Sequence, residues 1–237
     1  MELHAYSKND YEFVKKLYIG ALQESTRRAV KDVLLQPRTI RILCMVIPIS
    51  CYLIYQGFTT MLRWEPVQAY LYSMMAVLVI STMILGSTYQ MFSSGIKKSV
   101  LATFEKDMSD IPATFDLVMN NDECFEPTGV SNVWIATING EKAGFLTMHN
   151  GGSKSCEIRK MAVVGKHRRR GLGELMTRQA IVWAKDHRME TIFALNVSSA
   201  QVAACELFEK CGFTISKQKP VIPGFGYLAY ELSTINR

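Results

Sequence analysis

Two long runs without a charged residue dominate the hydrophobic pattern of the chain. Residues 42–62 and 67–96 contain no Asp, Glu, Lys or Arg, and the polar segment 63–66 separates them. The first run has 21 residues, enough for a helix of about 31 Å, which matches the hydrocarbon core of a bilayer. The pattern predicts a helical membrane hairpin. Pro48 leaves a re-entrant hairpin open, and burial in a soluble core is the other alternative.

The remaining sequence alternates between strand and helix patterns. Residues 3–7 predict a strand, and residues 11–22 keep apolar side chains at helical spacing. The pattern is helical from 97 to about 121, with Pro112 restarting the helix after a break. Strands are predicted at 133–138, 143–148, 157–163, 191–197, 213–217 and 227–232. Turns are predicted at Asn139-Gly140 and at 151–153, and a helix is predicted at 201–210, with Gly212 ending it.

Composition and charge narrow the class of protein. Apolar residues make up 49% of the chain, and the formal net charge is +6. The positive charge lies beside the apolar runs and at 166–170, without an aromatic-studded basic face, which favours lipid and a phosphorylated cofactor over nucleic acid. Basic residues flank both outer ends of the hairpin, so the positive-inside rule predicts that both flanks are cytosolic. They are Arg27, Arg28, Lys31, Arg38 and Arg41 before the hairpin and Lys97 and Lys98 after it.

Two further expectations follow from composition. The six cysteines form no Cys-x-x-Cys pair and no His-containing metal spacing, so we expect reduced, buried thiols and no metal. Residues 27–41 alternate basic and apolar positions, which suits a helix at an anionic membrane surface, although a plain solvated helix fits as well.

A glycine turn between a strand and a helix carries the first chemical motif. Strand residues ending at Val163 lead into the basic turn 166–170, then Gly171-Leu172-Gly173, and a helical pattern from Glu174. A helix start offers unpaired N–H donors, and glycine lets the backbone approach a phosphate. Neither the P-loop spacing nor the dinucleotide-binding spacing occurs here. The pattern Arg168-x-x-Gly171-x-Gly173 resembles the coenzyme A motif of GNAT acetyltransferases; taken alone, a solvated basic turn is the alternative.

A second motif follows about thirty residues later. Gln201-x-x-Ala204-x-x-Leu207-Phe208-x-x-x-Gly212-Phe213 resembles the second GNAT motif, in which Asn and Tyr commonly stand at the positions of Gln201 and Phe208. The helices that follow both motifs carry apolar stripes for the core. These stripes are Leu172, Leu175, Met176, Ala180 and Trp183 in one helix and Ala204, Leu207, Phe208 and Cys211 in the other.

Nearly the whole chain resembles the camello-like, or N-acetyltransferase 8, family of membrane-bound GNAT enzymes. The resemblance rests on Leu35-Gln36-Pro37-Arg38-Thr39 before the first apolar run, Asp107-Met108-Ser109-Asp110-Ile111 after the second, and Gln201. It implies acetyl-CoA as donor, an amine acceptor and residence in the endoplasmic reticulum membrane. Known members act on cysteine S-conjugates, aspartate or protein lysines, and the acceptor and oligomeric state stay open.

The resemblance and the strand pattern together suggest how the chemistry is divided. Backbone groups of Met161, Ala162 and Val163 would hold the thioester and the pantetheine arm. Arg168, Arg169, Arg170, Gly171, Leu172 and Gly173 would take the pyrophosphate, with Gln201 and Phe208 lining the rest of the cofactor site.

The candidate catalytic groups lie on the same and on neighbouring strands. Glu157 is the first candidate base, on the strand face shared with Arg159, Met161 and Val163, and His149 is the second. The alternatives are a surface or ion-paired carboxylate for Glu157 and a structural role for His149. Phe208 donates no proton, so solvent, Tyr227 or Tyr230 would protonate the departing thiolate. Arg159 or Lys160 would bind a carboxylate of the acceptor, and a solvated strand edge is the alternative for both.

The predicted fold is a mixed α/β sheet of the GNAT type with an inserted transmembrane or re-entrant hairpin. Residues 1–41 would form its first strand and amphipathic helix, 42–96 the hairpin, and 97–237 the catalytic domain. The predicted function is membrane-anchored N-acetyl transfer by direct attack in a ternary complex. Two alternatives are a weakly active or inactive GNAT-fold membrane interaction protein, motivated by Phe208, and a soluble acetyltransferase with an apolar insertion.

Overall fold

The computed structural model describes residues 1–35, 37–120, 123–199, 201–222 and 225–235. The helices in this part of the chain are α1 (Tyr11–Leu34), α2 (Pro37–Thr60), α3 (Pro66–Asp107), α4 (Ile111–Thr114), α5 (Leu172–Asp186) and α6 (Val202–Lys210). The strands are β1 (Glu2–Ala5), β2 (Leu117–Met119), β3 (Phe125–Pro127), β4 (Asn132–Ile138), β5 (Glu141–Gly152), β6 (Ser155–Val163), β7 (Thr191–Ser198), β8 (Thr214–Ile222) and β9 (Phe225–Ser233).

A seven-stranded mixed sheet organises the first of two units of the chain, Met1–Ser25 with Val100–Arg237. Its strand order is β1-β4-β5-β6-β7-β9-β8. The pair β6 and β7 is parallel, and the other pairs in this sheet are antiparallel. The mixed α/β sheet confirms the predicted fold class.

The sheet buries apolar side chains on both faces. On one side, Leu172, Met176 and Phe208 of α5 and α6 belong to a large core cluster; we call this side the α5/α6 face. On the other side, Val14 and Tyr18 of α1 pack in a second cluster with Phe145 and Ala162 of the sheet, and we call this side the α1 face. The two layers hold the ends of β6 and β7 between them.

The second unit, Thr26–Ser99, contains two long apolar helical segments. Residues Ile40–Thr60 and Pro66–Met91 are long and apolar enough to cross a membrane, by length and composition. Helix α2 continues through Pro48. Ser73 is buried and lies 3.5 Å from the Cys51 Sγ, so the two helices pack side by side. The bulky side chains on the outer surface, including Met45, Leu53, Leu78 and Met83, are exposed.

Local predictions were mostly right for strands and less accurate for helix ends. The Asn139-Gly140 turn is confirmed, because both residues have positive φ and β5 begins at the next residue. The turn was predicted at 151–153, but β5 runs through Gly152 and β6 begins at Ser155, so the turn consists of Ser153 and Lys154. The second hairpin is therefore tighter than its glycines suggested.

The region from 97 to 121 was the weakest prediction. Helix α3 continues past Lys98 to Asp107, and α4 holds only four residues, capped by Asp110, whose carboxylate accepts from the Ala113 amide. Residues 117–119 then form a strand, because they pair with 125–127. Tertiary pairing overrode the local helical pattern here. Asn121, where the predicted helix ended, lies outside the described residues.

Three side-chain expectations also need correction or a limit. Leu175 was expected in the core but is 38% exposed, because the buried stripe of α5 follows Leu172, Met176 and Ala180. Cys44 was expected to be buried but is exposed. Of the motif at 35–39, Gln36 lies outside the described residues, as do the side chains of Arg38 and Thr39. The side chain of Lys97, after the second apolar run, also lies outside them.

Candidate active site

The glycine turn opens α5 as the sequence suggested. Gly171 caps the helix with a φ of 82°, and Arg169 also has a positive φ, 61°. The first helical hydrogen bond runs from the Leu175 amide to the Gly171 carbonyl, 2.9 Å. The preceding amides of the first turn therefore point out of the helix start, where an anion is favoured.

The side chains of this turn differ from one another in their surroundings. The Arg168 guanidinium donates to the Val163 carbonyl, 3.0 Å, and to the Glu24 carboxylate in α1, 2.8 Å. Arg169 lies 3.7 Å from Glu206, and Arg170 is exposed. Arg168 is thus held at the end of β6 and against α1, and Lys166 of the same turn pairs with Glu141 at the start of β5.

Leu172 and Gly173, the motif residues that begin α5, contribute to packing as well as to the anion site. The Leu172 side chain is 1% exposed in the core, which leaves only its backbone for a ligand. A Cβ added at Gly173 would lie 3.1 Å from Leu207 Cδ2, so this glycine lets α5 and α6 approach closely. The second glycine of the first motif thus contacts the helix of the second motif.

Helix α1 binds residues of both motifs through two consecutive side chains. Glu24 pairs with Arg168, and Ser25 accepts a hydrogen bond, 2.9 Å, from the Gln201 amide at the start of α6. We call Glu24 and Ser25 the α1 clasp. Sequence reasoning missed both, because 144 and 176 residues separate them from their partners and no motif marks them. Glu24 and Arg168 also line a groove of about 610 Å³ beside α1.

A gap in the centre of the sheet lies next to this loop. Strands β6 and β7 pair only from Ser155 to Glu157 and from Thr191 to Phe193. Beyond Glu157 no pairing joins them in the described residues, although both strands continue for several residues. The backbone of β6 from Ile158 onward therefore offers hydrogen-bonding groups to whatever enters the gap.

Strand alternation decides which amides face the gap. The Val164 amide donates to the Ala143 carbonyl of β5, 2.8 Å, so Ala162, two residues earlier, also faces β5. Met161 and Val163 then direct their amides toward β7. The Val163 carbonyl, which Arg168 binds, points the same way. Of the three expected thioester residues, two present their amides to the gap.

A β-bulge changes the expected grouping of side chains along β6. Thr147 pairs with Lys160 but Met148 pairs with Ile158, so Arg159 is an extra residue on β6. Glu157 was expected on one face with Met161 and Val163 by simple alternation. That expectation is wrong, because the extra residue reverses the alternation and puts Met161 with Ile158 on the α5/α6 face.

The two candidate bases are direct neighbours across the ladder. Glu157 and His149 are paired in register, which brings their Cβ atoms to about 5 Å. The His149 ring makes an edge contact with Phe115, a residue of the α1 face, so both candidates lie on that face. Glu157 is partly buried, and its carboxylate lies 3.4 Å from the Arg159 Nε. These groups share one side of the gap.

Nearby groups limit the remaining assignments. The Lys160 ammonium lies over the Tyr18 ring, 5.4 Å from its centroid. Burial raises the pKa of the Cys156 thiol, which adjoins Glu157, to about 12, so this thiol stays protonated at neutral pH and is no nucleophile.

The proton-donor candidates are not equivalent. Phe208 is 5% exposed and packs on the Phe213 and Tyr230 rings, with centroids at 5.4 and 5.6 Å. The Tyr230 hydroxyl donates to Glu209, 3.1 Å, and burial raises its pKa above the usual tyrosine range. Tyr227 is 39% exposed and pairs with Ser198 at the end of β7.

The parallel pair parts at the centre of a mixed sheet, beside a glycine turn that opens a helix, and comparison with known proteins assigns the chain to the GNAT class of acetyltransferases. Residues 98–213 match the family model described as "Acetyltransferase (GNAT) family". The chain is a GNAT acetyltransferase related to the N-acetyltransferase family 8 members.

These relatives align along most of the chain. N-acetyltransferase family 8 member 3 of Rattus norvegicus is 24% identical over 216 residues, which cover 89% of this chain and 82% of that protein. Member 7 of Mus musculus is 23% identical, with coverages of 89% and 83%.

Solved structures of similar proteins cover about half of the chain. A GCN5-related N-acetyltransferase from Kribbella flavida has a TM-score of 0.42 and 20% identity, and covers 46% of this chain and 71% of its own. A GNAT family acetyltransferase from Elizabethkingia anophelis with acetyl-CoA bound has a TM-score of 0.39 and 17% identity, with coverages of 44% and 76%.

Proposed function

We propose that the protein transfers an acetyl group from acetyl-CoA to an amine by direct attack in a ternary complex. The observation that carries the proposal is the gap between β6 and β7, which adjoins the free amides at the start of α5. A linear pantetheine arm fits a gap between strands, and its pyrophosphate suits a helix start. The acceptor is a small amino acid, a cysteine S-conjugate or a protein lysine.

The cofactor is held mainly by backbone groups. The amides of Met161 and Val163 bind the pantetheine arm and polarise the thioester carbonyl. The pyrophosphate occupies the turn that ends at Gly173, and charged side chains of the turn supplement the amides. Gln201 lines the cofactor site from the start of α6, and Phe208 bounds it with an apolar ring. The turn that takes the pyrophosphate consists of Gly173 and the five residues before it, which are Arg168, Arg169, Arg170, Gly171 and Leu172.

The acceptor amine must lose a proton to attack. Glu157 accepts it, directly or through water, and His149 is the second candidate because it is the cross-strand neighbour of Glu157. The amine nitrogen bonds to the acetyl carbon, the carbon–sulfur bond breaks, and coenzyme A leaves as a thiolate. Tyr227 or solvent then protonates the thiolate, because Phe208 has no proton to donate.

An acetylation assay tests the donor and the reaction together. Membranes containing the protein are incubated with labelled acetyl-CoA and a panel of an S-substituted cysteine, aspartate, a polyamine and lysine peptides. We expect transfer to one acceptor class by the wild type. Arg168→Glu should raise the KM for acetyl-CoA about 10- to 100-fold, since a hydrogen bond to a charged group is worth about 1.5–3 kcal/mol.

The matched control is Lys185→Glu, which makes the same change in charge at an exposed position of α5. This variant should keep the wild-type KM for acetyl-CoA. Equal KM values for Arg168→Glu and wild type would contradict the assigned pyrophosphate site.

A second candidate function is a membrane interaction protein that binds coenzyme A without turnover. The buried aromatic Phe208, where GNAT enzymes commonly have a tyrosine, favours it. No transfer to any acceptor, with coenzyme A binding intact, would support this candidate. Phe208→Tyr is then the variant in which to look for restored turnover.

We further propose that α2 and α3 anchor the enzyme in the endoplasmic reticulum membrane with the catalytic part in the cytosol. The support is the pair of apolar helices and the basic residues on their outer flanks. In sealed microsomes, protease should remove a C-terminal epitope without detergent. Protection of that epitope would overturn the orientation.

A further inference from the structure

A second β-bulge lies in the wall of the gap opposite β6. In the pairing of β7 with β9, Ala194 is opposite Tyr230 and Val197 is opposite Leu228, so Leu195 and Asn196 together face one residue. Asn196 has a φ of 56°, in the left-handed region. A bulge re-aims the side chains that it carries, and such features concentrate at functional sites.

The bulge directs two side chains away from the α5/α6 core. Ala194 and Val197, on either side of it, are buried in the cluster that includes α5 and α6. Leu195 is 40% exposed and Asn196 is also exposed, although β7 lies inside the sheet. Both side chains therefore project from the opposite side of the sheet, which is the α1 face that carries Glu157 and His149.

The register fixes the level of Asn196 along the gap. Phe193 pairs with Glu157 in the last parallel step before the strands separate. Asn196 lies three residues further along β7 and Lys160 three residues further along β6, and one residue of each stretch is the extra residue of a bulge. Both residues therefore lie about two strand steps, or roughly 7 Å, beyond that pair. Asn196 thus stands between the level of the candidate base Glu157 and that of the Met161 and Val163 amides.

We propose that Asn196 binds the acceptor, with its carboxamide oxygen accepting a hydrogen bond from the attacking amine. This inference rests on the proposed function. A neutral carboxamide suits the task, because it accepts an N–H without stabilising the ammonium form, which cannot attack. The exposed Leu195 beside it forms an apolar wall for the rest of the acceptor.

Glycine substitution tests the carboxamide and leaves the backbone conformation accessible. In Asn196→Gly, the KM for the acceptor should rise about tenfold, while the KM for acetyl-CoA stays at the wild-type value. The matched control is Asn139→Gly, because Asn139 has a similar φ of 52° but lies in the β4–β5 turn. That variant should keep both KM values.

The variant Asn196→Asp provides a second test, because a purely structural role of Asn196 would leave the pH profile unchanged. Asn196→Asp keeps an acceptor oxygen but places a carboxylate beside the amine, which favours the ammonium form. The pH profile of kcat, which reports the pKa of the amine in the ternary complex, should shift to higher pH. If the wild type turns over and Asn196→Gly has an unchanged acceptor KM, or the Asn196→Asp profile does not move, the inference fails alone. Absence of turnover in the wild type overturns the proposed function and this inference with it.

Discussion

At the scale of single residues, Gly171 gives the sharpest test of the phosphate-binding turn. Its φ of 82° costs an L-residue about 1–2 kcal/mol, so Gly171→Ala should lower the free energy of unfolding by about that amount. The strain also displaces the first amides of α5, so the affinity for coenzyme A should fall. Denaturant unfolding and coenzyme A binding measure the two effects.

The same loop contains a control for this change. Gly165 has no neighbouring atom within 4 Å of an added Cβ, and its φ lies outside the left-handed region. Gly165→Ala should therefore leave both stability and coenzyme A affinity near the wild-type values. A Gly171→Ala protein that matches Gly165→Ala in both measurements would show that the turn does not need a left-handed residue.

Residue types near the site were predictable where a short motif encodes them, and not elsewhere. Arg168 and Gln201 follow from spacing along the chain. Their partners in the α1 clasp come from a helix more than 140 residues away, and no local pattern announces them. The bulge at Arg159 was also not predictable, because it exists only in the pairing of β6 with β5. Its one extra residue reverses the alternation of side chains that the prediction had assumed.

At the scale of elements, one ion pair fastens the start of α1 to β5. Asp10 is 1% exposed, and its carboxylate lies 2.5 Å from the Lys142 ammonium, while Ser7 donates to it from backbone and side chain. Burial alone would raise the pKa of Asp10. The hydrogen bonds from Lys142 and Ser7 outweigh it and hold this pKa below the usual value.

Asp10→Asn should therefore destabilise the fold in a pH-dependent way. A lowered folded pKa means that the contribution is fully present above the unfolded pKa of about 3.9 and is lost as pH falls through the folded value. At pH 7 the loss should be about 2 kcal/mol, typical of hydrogen bonds to a charged group. The difference between the variant and the wild type should shrink in acid.

An exposed ion pair provides the comparison for this element contact. Glu190 pairs with Lys154 near the starts of β7 and β6, and the side chains are 42% and 68% exposed. Glu190→Gln should change stability little, because solvent screens such pairs. Denaturant unfolding at pH 7 and at about pH 2.5, below the unfolded pKa of an aspartate, checks both variants. Equal losses for Asp10→Asn and Glu190→Gln would contradict the structural importance of the buried pair.

Element types followed from periodicity except where long-range pairing decided the outcome. The strands β4 to β7 and both late helices were predictable, because turn residues and apolar spacing mark them. Residues 117–119 were not, since their strand exists only through its pairing with 125–127. The separation of β6 from β7, which creates the gap, is likewise a property of the sheet and of neither strand alone.

At the scale of the whole molecule, the two units differ in how much apolar surface they expose. The sheet unit buries its apolar residues between two layers of helices, whereas α2 and α3 expose theirs. The alignment with the family 8 relatives covers 89% of the chain and therefore extends into the apolar helices. Exposed apolar surface on this scale marks a membrane or protein interaction surface, and it supports the membrane anchor proposed above.

Cysteine labelling distinguishes a bilayer from water around these helices. Leu78 lies near the middle of Pro66–Met91 and is 67% exposed in the unit, whereas Met61, in the connector between the helices, is 86% exposed. In permeabilised membranes, a membrane-impermeant maleimide should label Met61→Cys above the wild-type background and should not label Leu78→Cys. Hydrocarbon excludes the reagent and disfavours the thiolate on which the reaction depends. Equal labelling of the two variants would mean that α3 is bathed in water, and the membrane anchor would have to be abandoned.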